Sequence, residues 1–407
     1  MDTKQQHDAQ ALYAKAIACH QAGKTAEAID LYARVAALFP DVATIHYNLG
    51  LACFESGRLA EAVNAYRRAA ELCPEDADIL YNLGLAYKKG GRFTEARDTY
   101  QKGLSLAPDD EEMRYNLGCC YKDAGEIDRA ISVYEELLTL APGHASTLNN
   151  LAYLRHRQGR YRQAEDLYKR LLELRPNHAA ARYMLAALTG STVVTPPPDY
   201  VRELFDQYSK TFEYHLVREL NYTTHLKLKQ TFDGLTDRKP RYEHALDLGC
   251  GTGLAGAAFR PVCEKLSGVD LSGNMVAQAQ EKGIYDQLHV GEINEYLLSS
   301  KQRYDLFVAA DVLTYIGDLQ PLFAAAWERG SKEALFCCST ETTATPDWTL
   351  RPTGRYAHHP GYIKKTAGRK GWQLLHCSAA NIRKERNTWI KGNIFLLKKT
   401  ADLRACA

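Results

Sequence analysis

His244-Ala245-Leu246-Asp247-Leu248-Gly249-Cys250-Gly251-Thr252-Gly253-Leu254-Ala255-Gly256 decides the fold of the second half of this 407-residue chain. An apolar run, a cluster of glycines and a renewed apolar pattern read as a buried strand, a tight loop and a helix from about Leu254. Gly251, Gly253 and Gly256 fit G-x-G-x-x-G, and Asp270 lies 19 residues past Gly251. Such a loop brings backbone N–H groups and a helix start up to a nucleotide cofactor. The glycines alone suit a dinucleotide as well as any other adenosine cofactor.

Working outward, three more apolar runs end near acids at intervals of roughly 20 residues, the length of a strand–helix unit. Leu266 to Asp270 is followed by Leu271 and Ser272; His289 to Glu292 is followed by Ile293; Tyr304 to Ala310 ends at Asp311. Ala334–Ser339 reads as a fifth strand, and Trp372–Ile382 with Ile390–Leu397 as a closing pair. Gly330 to Glu333 is expected to be a loop before the fifth strand. Alternating strands and helices predict an α/β domain, an open and mostly parallel sheet with helices on both faces. Asp247 sits two residues before the first glycine. A carboxylate there repels a pyrophosphate and suits a cationic ligand group.

The first half carries a different signal. Pro40, Pro74, Pro108, Pro142 and Pro176 recur every 34 residues, a period that predicts stacked helical hairpins. Ala16, Gly50, Gly84, Gly118 and Ala152 form one small-residue column, and Ala28, Ala62, Ala96, Ala130 and Ala164 another. Tyr32, Tyr66, Tyr100, Tyr134 and Tyr168 follow the second column by four residues. Gly23, Gly57, Gly91, Gly125 and Gly159 stand where each hairpin must turn, and the proline ends its second helix. A partial unit over 179–189 is expected to cap the array. Ser191 to Pro198, with three prolines, reads as an extended spacer. The expected domains are therefore 1–190, a linker at 191–199, and 200–407. Leu204, Phe205, Tyr208, Phe212 and Leu216 recur at helical spacing, so 200–216 reads as an amphipathic helix.

The repeat pattern resembles the tetratricopeptide (TPR) family, with five copies over 9–176. Asp247-Leu248-Gly249-Cys250-Gly251-Thr252-Gly253 and the acidic strand ends resemble the class I methyltransferases that use S-adenosyl-L-methionine (SAM). Both halves together, with Gly354-Arg355-Tyr356-Ala357-His358-His359, resemble bacterial TPR-containing methyltransferases. The resemblance implies a TPR solenoid followed by a Rossmann-like domain of seven strands. It implies that Asp247, Gly249, Gly251 and Gly253 cradle the methionine end of SAM. Asp270 and Leu271 would take the ribose, Glu292 and Ile293 the adenine, and Asp311 would lie near the methyl group. Tyr208 would close over the cofactor.

Asp311, Tyr356, His358 and His359 are the candidates for a base, since a neutral hydroxyl or amine acceptor needs one. In TPR arrays the first helix of each hairpin lines the concave face. Asn48, Asn82, Asn116 and Asn150 would form a column there, beside Tyr13, Tyr47, Tyr81 and Tyr115, for pairing with an extended peptide. Lys88, Lys89, Lys122, His156 and Arg157 would favour acidic groups, although charged residues also mark ordinary solvated faces. Asp78 stands where chaperone-tail clamps need a basic residue, so that partner is disfavoured.

Other absences narrow the chemistry. No Asn/Asp-Pro-Pro-aromatic string and no Pro-Cys pair occurs, against two groups of base and amide methylators. A net charge of +2 gives no whole-chain attraction to nucleic acid, and the basic clusters at Lys364, Lys365, Arg369, Lys370 and at Arg383, Lys384, Arg386 lack an aromatic platform. The 11 cysteines include no C-x-x-C pair, so free thiols and no zinc site are expected. The polar start lacks the apolar core of a secretory signal, and no run suits a membrane span; a cytoplasmic location is expected. Three readings remain: a methyltransferase whose arm recruits a protein, a small-molecule or glycan methyltransferase whose arm anchors it, and a catalytically silent scaffold.

Overall fold

The computed structural model describes residues 3–191, 193–235, 241–385 and 388–400, so Arg386 of the second basic cluster lies outside the described residues. Contacts divide the chain between Pro176 and Asn177.

The first unit is five helical hairpins. They are α1 (Thr3–Gln21) with α2 (Thr25–Leu38), α3 (Ala43–Glu55) with α4 (Leu59–Leu72), α5 (Ala77–Lys89) with α6 (Phe93–Leu106), α7 (Glu111–Asp123) with α8 (Ile127–Leu140), and α9 (Ala145–Arg157) with α10 (Tyr161–Leu174). Each hairpin turns on a glycine with φ between +71° and +79°, the left-handed region where a side chain is strained. The small column has a steric reason. A Cβ built on Gly84 would stand 2.5 Å from the Tyr100 ring, and one on Gly118 would stand 2.4 Å from Tyr134. The tyrosines thus lie flat against the neighbouring backbone, and Tyr66, Tyr100 and Tyr134 are fully buried.

The second unit begins with α11 (Ala179–Thr189), the helix expected to cap the array. It packs within this unit: the Tyr183 hydroxyl donates to Gly354 O at 2.8 Å, and Tyr183 lies against Tyr200 and Tyr356. The expected amphipathic helix over 200–216 is broken. It consists of α12 (Pro198–Tyr208), a 3-10 turn (Ser209–Thr211), a short α13 (Phe212–Tyr214) and a π-helical turn (His215–Glu219). Helix α14 (Thr224–Leu235) follows.

The sheet then alternates with helices: β1 (Tyr242–Leu248), α15 (Leu254–Phe259), β2 (Cys263–Asp270), α16 (Gly273–Glu281), β3 (Gln287–Val290), α17 (Ile293–Ser299), β4 (Tyr304–Ala309), α18 (Gln320–Arg329) and β5 (Gly330–Thr342). Short strands β6 (Trp348–Leu350) and β7 (Tyr356–His358), helix α19 (Pro360–Arg369) and the long strands β8 (Trp372–Glu385) and β9 (Thr388–Lys399) complete it. Seven strands run β3-β2-β1-β4-β5-β9-β8, with only β9 antiparallel to its neighbours. Strands β6 and β7 are additional. Strand β4 leaves β5 at Cys338, and β7 takes the vacated edge at Glu341 and Thr342.

Alternation decides which residue faces which layer. Phe307, Ala309, Phe336, Cys338, Phe395 and Leu397 pack under α17, α18 and α19. Leu306, Val308, Leu335, Cys337, Ile394 and Leu396 pack under α14 and α15. Both faces are therefore core, as a doubly wound sheet requires. The segment 330–333, expected to be a loop, belongs to β5. Its pairing with β4 jumps from Tyr304–Gly330 to Leu306–Leu335, and Glu333 takes φ +63° in that bulge.

Candidate active site

The three loop glycines all adopt left-handed backbone: Gly249 at φ +66°, Gly251 at +52° and Gly253 at +93°. A Cβ on Gly249 would stand 2.3 Å from Val312 Cγ2, so the turn after β4 closes directly on the loop. At Gly251 the nearest heavy atom, on the Phe212 ring, would be 4.0 Å away, which leaves an open cradle over the loop.

Asp270, at the end of β2, accepts from Gly251 N at 2.8 Å and from Ser272 N at 2.9 Å. It remains partly exposed. Burial raises its carboxyl above the ordinary value, while the backbone N–H groups oppose that shift. Leu271 is half-buried beside it. Glu292 caps α17, accepting from Glu295 N at 2.9 Å, and Ile293 is buried in the core beneath α17.

Asp247 differs from the sequence expectation. Its side chain falls on the sheet face covered by α15, is 1% exposed, and accepts from the Tyr285 hydroxyl at 2.7 Å. Burial pushes its carboxyl up to about 7. It braces the loop from below and presents no free carboxylate to a cationic ligand.

The broken segment 198–219 forms the roof. Asp206 accepts from Ser272 Oγ and from Asn274 N, pinning α12 to the start of α16. Glu213 accepts from Thr252 Oγ1 at 2.6 Å and pairs with Lys282. Tyr208 packs edge-on against Phe212 at 5.2 Å between centroids and bonds to His215. Phe205 packs against Phe212 and, at 5.2 Å, against Tyr315 in the turn after β4. Asp206 and Glu213 were missed by the sequence reading, which followed only the apolar period of this segment.

Asp311 takes φ +58°, a strained backbone for a non-glycine residue. Ser339 Oγ accepts from its N–H at 2.9 Å, and both its carboxylate oxygens face Arg383 Nη1, at 3.1 and 2.9 Å. Arg383 is 1% exposed and also donates to the buried Glu341, whose other oxygen lies 3.1 Å from Arg351. Tyr222 is 4% exposed, and burial first, then the charges of Asp311 and Asp247 against that of Arg383, raises its hydroxyl well above the ordinary value. Nothing in the sequence singled out Tyr222, Glu341 or Arg383 as members of one cluster with Asp311, because the four come from four segments of the chain.

The histidines and Tyr356 serve the scaffold. The His358 ring is fully buried, with Nε2 at 2.9 and 3.0 Å from the carbonyls of Ile316 and Gly317, so it must donate there. Tyr356, also fully buried, donates to Val193 O at 2.7 Å. His359 is the N-cap of α19, its Nδ1 accepting from Gly361 N at 3.0 Å. None of the three offers a free base beside the glycine loop; burial and existing hydrogen bonds occupy them.

Burial holds the His358 imidazole down at about 4, against an ordinary 6.5. Between those values the unfolded chain binds a proton that the folded chain refuses, so stability rises with pH through this window. Acidification from pH 6.5 to 4 is expected to cost roughly 3 kcal/mol from this residue. His225 and His244 are lowered too and add in the same direction. Urea unfolding against pH tests this: His358→Gln, which can still donate, should flatten the profile. An unchanged slope would remove the buried-imidazole assignment.

A cleft of about 260 Å³ lined by Lys365, Arg369, Asp318 and Trp348 shares no residue with the site above. On the first unit, Asn48, Asn82 and Asn150 donate to Tyr13, Tyr47 and Tyr115 at 2.6, 3.1 and 3.2 Å, one repeat back. Asn116 is held by Lys88 at 2.9 Å, Lys122 pairs with Asp123 at 2.8 Å, and Lys89 lies over the Phe54 ring. Much of the predicted amide and cation column is thus already engaged within the array. No helix among the described residues is long and apolar enough to cross a membrane, and no cluster among them could hold a metal.

Residues 246–333 match the methyltransferase domain family model. Residues 16–57 and 50–91 match a TPR repeat model, and 77–110 and 112–177 match tetratricopeptide repeat models. A ubiquinone biosynthesis O-methyltransferase from Coxiella burnetii (strain Dugway 5J108-111) is 25% identical over 166 residues, 36% of this chain and 70% of that protein. Among solved structures, MamA is 24% identical with a TM-score of 0.39, over 40% of this chain and 96% of its own. YrrB, described as a TPR protein with an unusual peptide-binding site, is 22% identical with a TM-score of 0.39, over 42% of this chain and 89% of its own. The chain therefore joins an array of tetratricopeptide repeats to a methyltransferase domain.

Proposed function

We propose that the second unit transfers a methyl group from SAM and that the repeat array holds a protein or peptide partner. The carrying observation is Asp270 at the end of β2, beside a glycine cradle with open space above it, inside the segment that matches the methyltransferase model. When bound, SAM supplies a methyl group on a sulfonium, a centre open to in-line attack. The chain's own residues would do the positioning. Asp270 accepts the ribose hydroxyls, the half-buried Leu271 lies beside them, and Glu292 with Ile293 borders the adenine. Gly249, Gly251 and Gly253 let backbone approach the methionine end, with Asp247 as support beneath. Phe205, Tyr208 and Phe212 exclude water from above, and Asp311 and Tyr222 stand where the acceptor enters. An oxygen acceptor is the reading favoured by the Coxiella relative.

For the array, the asparagine oxygens left free by the tyrosine bonds at Asn48, Asn82 and Asn150 would accept from an extended peptide. A cytoplasmic location suits both activities.

Calorimetric titration of the whole chain with SAM, S-adenosylhomocysteine and NAD tests the cofactor. Micromolar binding of the first two and none of NAD is expected. NAD binding alone, or no binding at all, would overturn the reading in favour of a dinucleotide enzyme or a silent scaffold.

A further inference from the structure

Arg355 immediately precedes β7, next to the buried Tyr356, and its guanidinium keeps open donors. Its Nε donates to the Tyr315 hydroxyl at 3.2 Å, and its guanidinium lies 5.8 Å from the centre of that ring. Its two terminal amino groups have no hydrogen-bond or ion-pair partner among the described residues, yet neither is sealed from solvent. Glu341, Asp311 and Glu385 act on it through space, but none forms an ion pair with it; Asp311 is bridged to Arg383, and Glu341 to Arg383 and Arg351. A half-buried guanidinium with two open donors can take an anionic group in direct contact, which no carboxylate among the described residues supplies.

The surroundings are built, not incidental. Gly354 at φ +74° turns the chain just before Arg355, and its carbonyl accepts from Tyr183 of α11. Tyr356 ties the next residue to Val193. The fully buried aromatic and histidine residues of this motif thus fix the backbone that presents Arg355.

Position selects the ligand. In the order β2-β1-β4-β5, Asp270 ends β2, and Arg355 leads into β7 on the edge of β5. Strand β7 continues the column that β4 leaves, two strands from β2, so at about 4.8 Å per strand the two are roughly 10 Å apart sideways, which puts Arg355 on the acceptor side of a cofactor held at Asp270. Resting on the SAM reading above, we infer that Arg355 anchors an anionic group, a carboxylate or phosphate, of the methyl acceptor. Its planar fork takes such a group bidentately, with the Tyr315 and Phe205 rings alongside.

The test uses the full chain saturated with S-adenosylhomocysteine, titrated with benzoate in one arm and inorganic phosphate in the other. Wild type should bind at least one anion, and the stronger arm identifies the acceptor group. Arg355→Gln should weaken that binding at least 10-fold, Arg355→Lys should recover part of it, and Arg369→Gln, in the separate cleft, should leave it unchanged. Affinity for S-adenosylhomocysteine should not move in any variant. An anion affinity unchanged by Arg355→Gln, or no anion binding by wild type, would overturn the assignment. A 10-fold loss of S-adenosylhomocysteine affinity in Arg355→Gln would instead give Arg355 to the cofactor's own carboxylate. If wild type fails to bind S-adenosylhomocysteine, the cofactor reading fails separately, and the same anion titrations on the free chain still decide Arg355.

Discussion

Arg383→Gln is expected to destabilise the second unit by about 3–5 kcal/mol at pH 7, the usual cost of removing one partner from a buried ion pair. Arg383 is 1% exposed and bridges Asp311 and Glu341. Glu341 keeps Arg351 after the change, whereas Asp311 loses the only cation in contact with it among the described residues. Burial already raises the Asp311 carboxyl, against the opposing pull of Arg383. Without Arg383 it rises further. A carboxyl raised above its unfolded value is most stable protonated, and its contribution is lost as pH climbs through the folded value. The variant should therefore recover stability on acidification below pH 7, relative to wild type. Urea unfolding at several pH values measures both effects. A loss under about 1 kcal/mol, with no pH dependence, would show that the cluster is hydrated and not a buried bridge.

Asp270→Ala should abolish SAM binding at attainable concentrations. Hydrogen bonds to a charged acceptor contribute roughly 1.5–3 kcal/mol each, so losing two corresponds to about a 10²–10⁴-fold weaker affinity. The same carboxylate also accepts from Gly251 N and Ser272 N, so part of the loss comes from a slackened loop. Asp270→Asn separates the contributions: it keeps the shape and one acceptor oxygen, and should bind more tightly than the alanine variant. Calorimetry gives the affinities, and the thermal transition shows whether the repeat array, which lies in the other unit, stays folded. Normal affinity in Asp270→Ala would remove the ribose site from β2.

Much of this architecture was legible in sequence because it is carried by local periods. A 34-residue repeat of proline, glycine, alanine and tyrosine specifies a hairpin that must stack, since the Tyr66, Tyr100 and Tyr134 rings are buried only against neighbouring backbone. Short apolar runs ending in glycine or acid specify strands whose ends converge at one edge of a parallel sheet. Both signals lie within a few residues of what they predict.

What failed to show in sequence depends on side chains meeting from distant segments. The apolar period over 200–216 predicted one helix. Asp206 and Glu213 instead tie that segment to α16 and to the loop, and the helix breaks between them. Asp247 reads as a ligand group by position, but strand alternation turns it into the α15 face, where desolvation favours its neutral form. His358 and Tyr356 carry reactive groups by type, and burial converts them into struts.

By itself the sequence determined the repeat array, the doubly wound sheet and the glycine loop, because backbone conformation and hydrophobic alternation act over short distances. Only the tertiary structure decided which polar groups are spent holding the fold and which stay open. Charge compensation is a property of neighbours in space: Arg383 is satisfied by Asp311 from β4's end and Glu341 from β5, while Arg355, four residues from Arg351, is left with open donors.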